Sequence, residues 1–290
     1  MNELLSILIA ISVPVFAVTS MLTVGFRYTV HEVVKPLRDI PGVITALVAN
    51  FVLVPLLALG ILQVLRLGRP FAIGLIIVAT AAGAPLVIKL TMLARDDVAF
   101  AASMLVLLLL ITIIYMPLVV PRIAAEASVS AMSIARPLIL TMLLPLLIAF
   151  VVKAFLPRWA EALLPYAGLI TNIALYVMLV STLLANFNEV VSVFGTGAIL
   201  ASFFLIGGAF AIGYLLGTFD KREKVVLGFA TAQRNFAAAI VVAVQSFTDS
   251  GVLVMAIVCS TVAMLLLPFA RLMGSYRAKS TQTQERTVIS

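Results

Sequence analysis

Long apolar segments, each closed by charged residues, follow one another along almost the whole sequence. A helix needs about 20 apolar residues to cross a bilayer, and in hydrocarbon only helices and closed barrels satisfy their own backbone hydrogen bonds. The composition agrees, since 63% of the 290 residues are hydrophobic and 11% are charged. The sequence therefore predicts an all-α, multi-pass protein of the cell membrane that is surrounded by lipid.

Charged residues divide the sequence into nine predicted transmembrane helices within one transmembrane domain, residues 1–273. The remaining tail, residues 274–290, is polar and rich in Ser and Thr, which predicts disorder. The predicted helices lie between Glu3 and Arg27, Asp39 and Arg66, Arg69 and Arg95, Asp97 and Arg122, Arg136 and Lys153, Glu161 and Glu189, Glu189 and Asp220, Lys224 and Ser246, and Gly251 and Arg271.

The distribution of basic residues predicts an orientation. Of the 19 Lys and Arg residues, 13 fall after predicted helices 1, 3, 5 and 7 or in the tail, and four fall in the opposite loops. The positive-inside rule then places the N-terminus outside and the C-terminus in the cytoplasm. The net charge of +7 is explained by these loops and predicts no nucleic-acid partner. The sequence carries no signal for an oligomeric state.

The middle of predicted helix 8 contains Gln233, Arg234 and Asn235. A guanidinium keeps its charge, and Arg234 lies roughly 15 Å of helix rise from either end. All 12 Asp and Glu residues lie at loops, helix ends or the tail. We therefore expect Arg234 to face a cavity where a small organic anion supplies the counter-charge. The alternative is a structural Arg that is bonded to backbone carbonyls.

Two of the predicted helices carry signs of a break. Predicted helix 3 contains Gly83 and Pro85, which weaken a helix, and Thr80 lies just before them in an Ala-Thr-Ala triplet. Thr231 lies in a second Ala-Thr-Ala triplet, just before Gln233. Interrupted segments in two halves of a chain are typical of transporters with inverted repeats, so we expect helices 3 and 8 to be discontinuous and to cross. The alternative is an ordinary proline kink.

Two further polar residues are candidates for the same site. Lys89 lies one turn beyond Pro85 and either points into the cavity or extends to the interface. Asn50 is an amide within predicted helix 2 and needs hydrogen-bond partners. The predicted substrate-binding residues are Arg234, Asn235, Gln233, Lys89, Thr80, Thr231 and Asn50. One Cys, one His and no nucleophile–base pair predict neither a metal site, nor a cofactor, nor an enzyme.

Several short motifs occur in an order that resembles the bile acid:sodium symporter family over roughly residues 15–270. They are Ala49-Asn50-Phe51 with Pro55, Leu93-Ala94-Arg95-Asp96-Asp97-Val98-Ala99, Pro117 with Pro121, Leu143-Leu144-Pro145, and Gly213-Tyr214-Leu215-Leu216-Gly217. The resemblance implies inverted repeats and transport of organic anions with sodium by alternating access. It also implies a core domain of helices 2–4 and 7–9 beside a panel domain of helices 1, 5 and 6.

The sequence departs from the family where its members hold sodium. Val87 and Ile88 stand at positions where the family has Ser and Asn, and Ala230 stands where it has Glu. We therefore expect both sodium sites to be impaired. The sharper hypothesis is that Arg234, with Lys89 as a second candidate, replaces the charge of sodium.

Other functions stay open at this point. One alternative is a sodium-coupled symporter with altered ligands. Another is a membrane sensor or receptor that binds an organic anion without moving it. Metalloid efflux is disfavoured, because related permeases place a reactive Cys in the first crossing helix and Cys259 lies in predicted helix 9.

Overall fold

The computed structural model describes residues 2–123, 130–185, 187–217 and 221–289, and within these residues it contains helices and no strand. The predicted end of helix 7 at Asp220 lies outside the described residues. The α-helices are α1 Asn2–Arg27, α2 Val30–Val34, α3 Ile40–Val48, α4 Val54–Val64, α5 Arg69–Thr80, α6 Leu86–Leu93, α7 Val98–Ile123, α8 Ala131–Leu138, α9 Leu144–Phe155, α10 Pro157–Ala185, α11 Phe187–Ser192, α12 Ala198–Leu216, α13 Lys221–Ala232, α14 Phe236–Ser246, α15 Ser250–Ala263 and α16 Leu266–Ile289.

Eight segments of the described chain are long and apolar enough to cross a membrane. Some of them are made of two successive helices. They are Leu4–Arg27, Ile40–Val64, Val98–Arg122, Ala131–Phe155, Pro157–Thr182, Ala198–Leu216, Lys224–Ser246 and Ser250–Ala278.

The segment predicted as helix 3 is divided into α5 and α6, with residues 81–84 outside any helix. Pro85 immediately precedes α6, and Gly83 has φ of +77°, a conformation that favours glycine. A Cβ atom on Gly83 would also overlap the backbone nitrogen of Leu109 in α7. Glycine therefore permits both the turn of the chain and its close approach to α7.

A π-helical turn, Ala49–Leu53, joins α3 to α4 and contains Asn50. Pro55 follows this turn and has no N–H to donate to Phe51, four residues earlier. The hydroxyl of Tyr115 in α7 donates to the Phe51 carbonyl instead, at 2.7 Å. The wider turn thus accommodates the proline and places the Asn50 amide in the protein interior.

The helices form two neighbouring groups. One group contains α1, which packs along α9 and α10. In the other, α7, α12 and α15 pack around the interrupted segments α5–α6 and α13–α14. The interruption in α13–α14 lies inside the protein, since every residue from Val225 to Ala243 is buried.

The last helix, α16, extends through the tail for which the composition predicted disorder. Two contacts fix the start of this tail against the end of α6. Gly274 packs on the carbonyl oxygen of Leu93, where a side chain would overlap it. Arg277 Nη1 pairs with Asp96 Oδ2 at 2.5 Å, and the Asp96 side chain is 1% exposed. These contacts depend on tertiary structure, which the composition of the tail does not reveal.

Candidate functional site

The two helix interruptions lie directly against each other. The backbone N–H of Asn235 donates to the carbonyl of Ala81 at 2.8 Å, and its side-chain Nδ2 donates to the carbonyl of Gly83 at 3.0 Å. Asn235 Oδ1 accepts from the backbone N–H of Ala238 at 3.1 Å and so caps α14. Each interruption therefore satisfies backbone groups that the other leaves free, as a membrane interior requires.

Arg234 lies at this crossing with 0% of its surface exposed. Its Nη1 donates to Asn50 Oδ1 at 2.6 Å and to the Thr231 carbonyl at 3.1 Å. Nη2 donates to the Ala79 carbonyl at 2.6 Å, and Nε donates to the Val78 carbonyl at 3.2 Å. Three of these acceptors belong to the last turns of α5 and α13, where helix carbonyls carry partial negative charge. The cation is thus held by oxygen atoms without a carboxylate among these partners.

Asn50, Thr80 and Thr231 are fully buried behind the crossing. Asn50 Nδ2 donates to the Ala46 carbonyl at 3.0 Å and to Thr231 Oγ1 at 3.3 Å. Thr80 Oγ1 donates to the Ile77 carbonyl at 2.9 Å. These three side chains of the predicted substrate-binding set shape the surroundings of Arg234 and do not line the cavity beside it.

A cavity of about 370 Å³ lies beside the crossing, between α1 and α10 on one side and α6, α14 and α15 on the other. Four of the predicted substrate-binding residues line it: Gln233, Arg234, Asn235 and Lys89. Pro85, at the first interruption, also lines the cavity. The structure therefore brings these residues to one wall and separates them from the buried set around Asn50.

The charged side chains that line the cavity are all basic. Lys89 is exposed, and within the described part of the chain it forms no hydrogen bond or ion pair. Arg27, at the end of α1, also lines the cavity, and its positive charge lies beside the Tyr28 side chain. Burial raises the pKa of the Tyr28 phenol above its ordinary value, so this group stays neutral at physiological pH. No Asp or Glu is among the described residues that line the cavity.

Sequence reasoning missed the contribution of α1 and α10 to this wall. Thr23 of α1 and Thr171 of α10 approach each other, with 3.4 Å between their Oγ1 atoms, and Asn172 lies beside them in the lining. Ser20, Thr23 and Arg27 follow helical spacing and so share one face of α1. That spacing is a signal that could have identified the face from the sequence.

A second cavity of about 170 Å³ continues the same cleft between α10 and α15. Met178, Ser260 and Met264 line both cavities and therefore separate them. Met264 lies between α15 and α16, where Pro268 cannot donate a hydrogen bond to its carbonyl. No cluster of three or more His, Cys, Asp or Glu side chains suited to a metal occurs in the described chain.

Comparison with known proteins identifies similar sequences. Residues 4–193 match the model of the Sodium Bile acid symporter family. The chain is 25% identical over 231 residues to a rice protein, Oryza sativa subsp. japonica, named "Probable sodium/metabolite cotransporter BASS2, chloroplastic", with 74% of this chain and 55% of that protein covered. It is 24% identical over 195 residues to an Arabidopsis thaliana protein named "Probable sodium/metabolite cotransporter BASS3, chloroplastic". That match covers 67% of this chain and 45% of the Arabidopsis protein. The chain thus spans about half the length of these curated relatives.

Proposed function

Because the chain belongs to the sodium bile acid symporter family, we propose that it is a secondary transporter that moves a small organic anion by alternating access. Membership in a transporter family supports transport and argues against an enzyme. The names of the two plant relatives refer to cotransport of a metabolite with sodium. The substrate and the coupling of this chain are inferred from its own cavity.

The proposed architecture has nine transmembrane helices, inverted repeats and two crossing discontinuous helices, the third and the eighth. The hydrogen bonds between Asn235 and the carbonyls of Ala81 and Gly83 support the crossing. The packing of α1 along α9 and α10 supports a panel domain of helices 1, 5 and 6. In this arrangement the cavity lies between panel and core, where a relative movement of the two groups would change its access.

The observation that carries the choice of an anion is the charge of the cavity. Lys89 and Arg27 line it, Arg234 lies in its wall, and no acidic residue balances them among the described lining residues. The first residues of α6 and α14 also line the cavity, and helix N-termini favour negative charge. An anionic substrate would supply the missing negative charge.

We further propose that transport by this chain does not require sodium. Sodium needs several oxygen ligands, and Arg234 already occupies Asn50 Oδ1 and the carbonyls of Val78, Ala79 and Thr231. A small cation placed among these oxygen atoms would meet a fixed guanidinium charge at hydrogen-bond distance. In this proposal the Arg234 side chain is a tethered replacement for the ion.

Arg234 would act on the substrate through its charge, since its exposed surface is 0%. The exposed ammonium of Lys89 is the group available for direct contact with a carboxylate. Gln233 and Asn235 would supply the polar wall beside it. The structure thus supports a division of roles between a buried cation and an accessible one.

The test is uptake of labelled organic anions by purified protein in liposomes, with sodium chloride compared with choline chloride. We expect equal initial rates in the two salts. A strict requirement for sodium would contradict the coupling proposal and favour a symporter with altered ligands. Binding of anions without uptake in either salt would favour the sensor or receptor alternative.

A further inference from the structure

Three polar side chains mark the interruption of the eighth membrane helix, and two of them are bound by the protein itself. Arg234 donates to four oxygen atoms of the chain. Asn235 bonds Gly83 through its Nδ2 atom and Ala238 through its Oδ1 atom. The third side chain, Gln233, differs from these two. It is 2% exposed and lines the main cavity, but its Oε1 atom is buried without a hydrogen-bond partner in the described chain.

A buried oxygen without a hydrogen-bond donor destabilises the folded protein, because its hydrogen bonds to water are lost and no hydrogen bond within the protein replaces them. Folded proteins retain few such atoms, and each one calls for an explanation. The backbone N–H of Gln233 has a hydrogen-bond partner, since it donates to the carbonyl of Phe229 at 2.8 Å. The atom without a hydrogen-bond partner is therefore the side-chain Oε1, and this side chain lies in the wall of the cavity.

We propose that the Gln233 side chain rotates toward the cavity when substrate binds, so that Oε1 accepts a hydrogen bond from the substrate, and that the preferred substrates are therefore organic anions that also carry a hydroxyl or N–H group. Hydroxy acids have this chemistry. The inference rests on the proposed function, because it assigns a further recognition element to the same cavity. Lys89 binds the carboxylate, and Gln233 accepts the hydrogen bond from the hydroxyl or N–H group. Phe16, Leu175 and Phe236 provide apolar surface for the rest of the molecule.

The experiment compares acids that differ by one hydroxyl group. Lactate is paired with propionate, and mandelate with phenylacetate, and dissociation constants are measured by thermal shift on the purified full chain. For the wild-type protein we expect the hydroxy acid of at least one pair to bind about tenfold more tightly, which is the contribution of one hydrogen bond. Equal affinities within both pairs would overturn the inference, while the proposed function would stand.

The variant Gln233→Met removes the amide but keeps an unbranched side chain of similar length. We expect the affinity ratio within the discriminating pair to fall to about one, because the acceptor is gone. The matched control is Gln245→Met, which changes an exposed glutamine at the end of α14 outside the cavity lining and should leave the ratio unchanged. A ratio that persists in Gln233→Met would overturn the assignment of this residue.

The melting temperature of the ligand-free variant gives a readout that does not depend on finding a substrate. Replacing an unmet buried acceptor by an apolar group should keep or raise the melting temperature of Gln233→Met. A fall of several degrees would show that Gln233 is a structural partner, and the inference would fail on its own. If no acid stabilises the wild-type protein, the proposal of an anionic substrate fails as well. The melting temperature of ligand-free Gln233→Met then shows separately whether Gln233 is a structural partner.

Discussion

Arg234 shows how a full charge can be held inside a membrane protein without a carboxylate. Its four acceptors are the Asn50 amide oxygen and the carbonyls of Val78, Ala79 and Thr231. Carbonyls in the last turn of a helix lack the donor four residues further along the chain, so they can accept these bonds. The residue therefore serves the fold and the site together. It closes the ends of two helices and keeps positive charge beside the cavity.

Removal of Arg234 should expose this double role. Arg234→Ala removes the guanidinium donor from four buried oxygen atoms, and we expect a loss of about 3–5 kcal/mol of folding free energy. If the vacated oxygen atoms can hold a small cation, sodium chloride should raise the melting temperature of the variant more than choline chloride does. The wild-type protein should respond equally to both salts. Arg158→Ala, at an exposed arginine, is the control. Stabilisation of the wild type by sodium would contradict the replacement of the ion by Arg234.

Lys89 should contribute to binding and little to stability. Its side chain is exposed in the cavity without a partner in the described residues, so Lys89→Met should change the free energy of unfolding by less than about 0.5 kcal/mol. Loss of a charged hydrogen bond to a carboxylate should weaken anion binding about tenfold or more. Lys35→Met, at an exposed lysine outside the cavity lining, is the control for altered net charge. Unchanged affinity in Lys89→Met would indicate that the ammonium extends to the membrane interface.

At the scale of elements, the helix interruptions position the candidate site. The first interruption has a local cause in Gly83 and Pro85, which is visible in the sequence. The π-helical turn around Asn50 also has a local cause in Pro55, but the hydrogen bond from Tyr115 that completes it comes from α7. A sequence pattern can therefore indicate where a helix is interrupted. It does not reveal which distant group satisfies the backbone that is freed.

The conformation of Gly83 predicts a large effect of a small substitution. Gly83→Ala forces a residue with a side chain to φ of +77° and places its Cβ atom against the backbone of Leu109. We expect a loss of about 2–4 kcal/mol from the strained conformation and the overlap together. The control is Gly207→Ala in α12, where the new methyl group would have no neighbouring atom within 4 Å. This substitution should leave the free energy of unfolding unchanged or raise it. Similar melting temperatures for the two variants would contradict the role of Gly83.

At the scale of the whole molecule, the limits of sequence reasoning follow from distance along the chain. Charged boundaries and apolar length depend on neighbouring residues, which explains why most long segments were predicted close to their observed positions. The partners of Arg234 come from Asn50, from α5 and from α13, and nothing local indicates that they meet. The sequence therefore predicted that this cation needs acceptors or a cavity, and only the fold shows that protein oxygen atoms hold it. The ion pair between Arg277 and Asp96 is another contact of this kind.

The arrangement of the two helix groups predicts which cross-links should block transport. Met178 of α10 and Met264 next to α15 line both cavities, and they belong to helices of the proposed panel and the proposed core respectively. In a Cys259→Ala background, cysteines at these two positions joined by a bifunctional thiol reagent should stop anion uptake, because alternating access requires the groups to move apart. The reagent occupies the cleft and so also weakens binding measured by thermal shift. Uptake before and after cleavage of a reducible linker is therefore the decisive measurement.

The matched control joins two helices of the same group. Lys153 and Glu161 form an ion pair at 3.4 Å between the end of α9 and the start of α10, away from both cavities. Cysteines at these positions, joined by the same reagent, should leave uptake unchanged, because α9 and α10 both belong to the proposed panel and would move together. Recovery of uptake on cleavage of the first linker, with no effect of the second, is the expected result. Transport that continues with Met178→Cys and Met264→Cys joined would contradict a movement between panel and core.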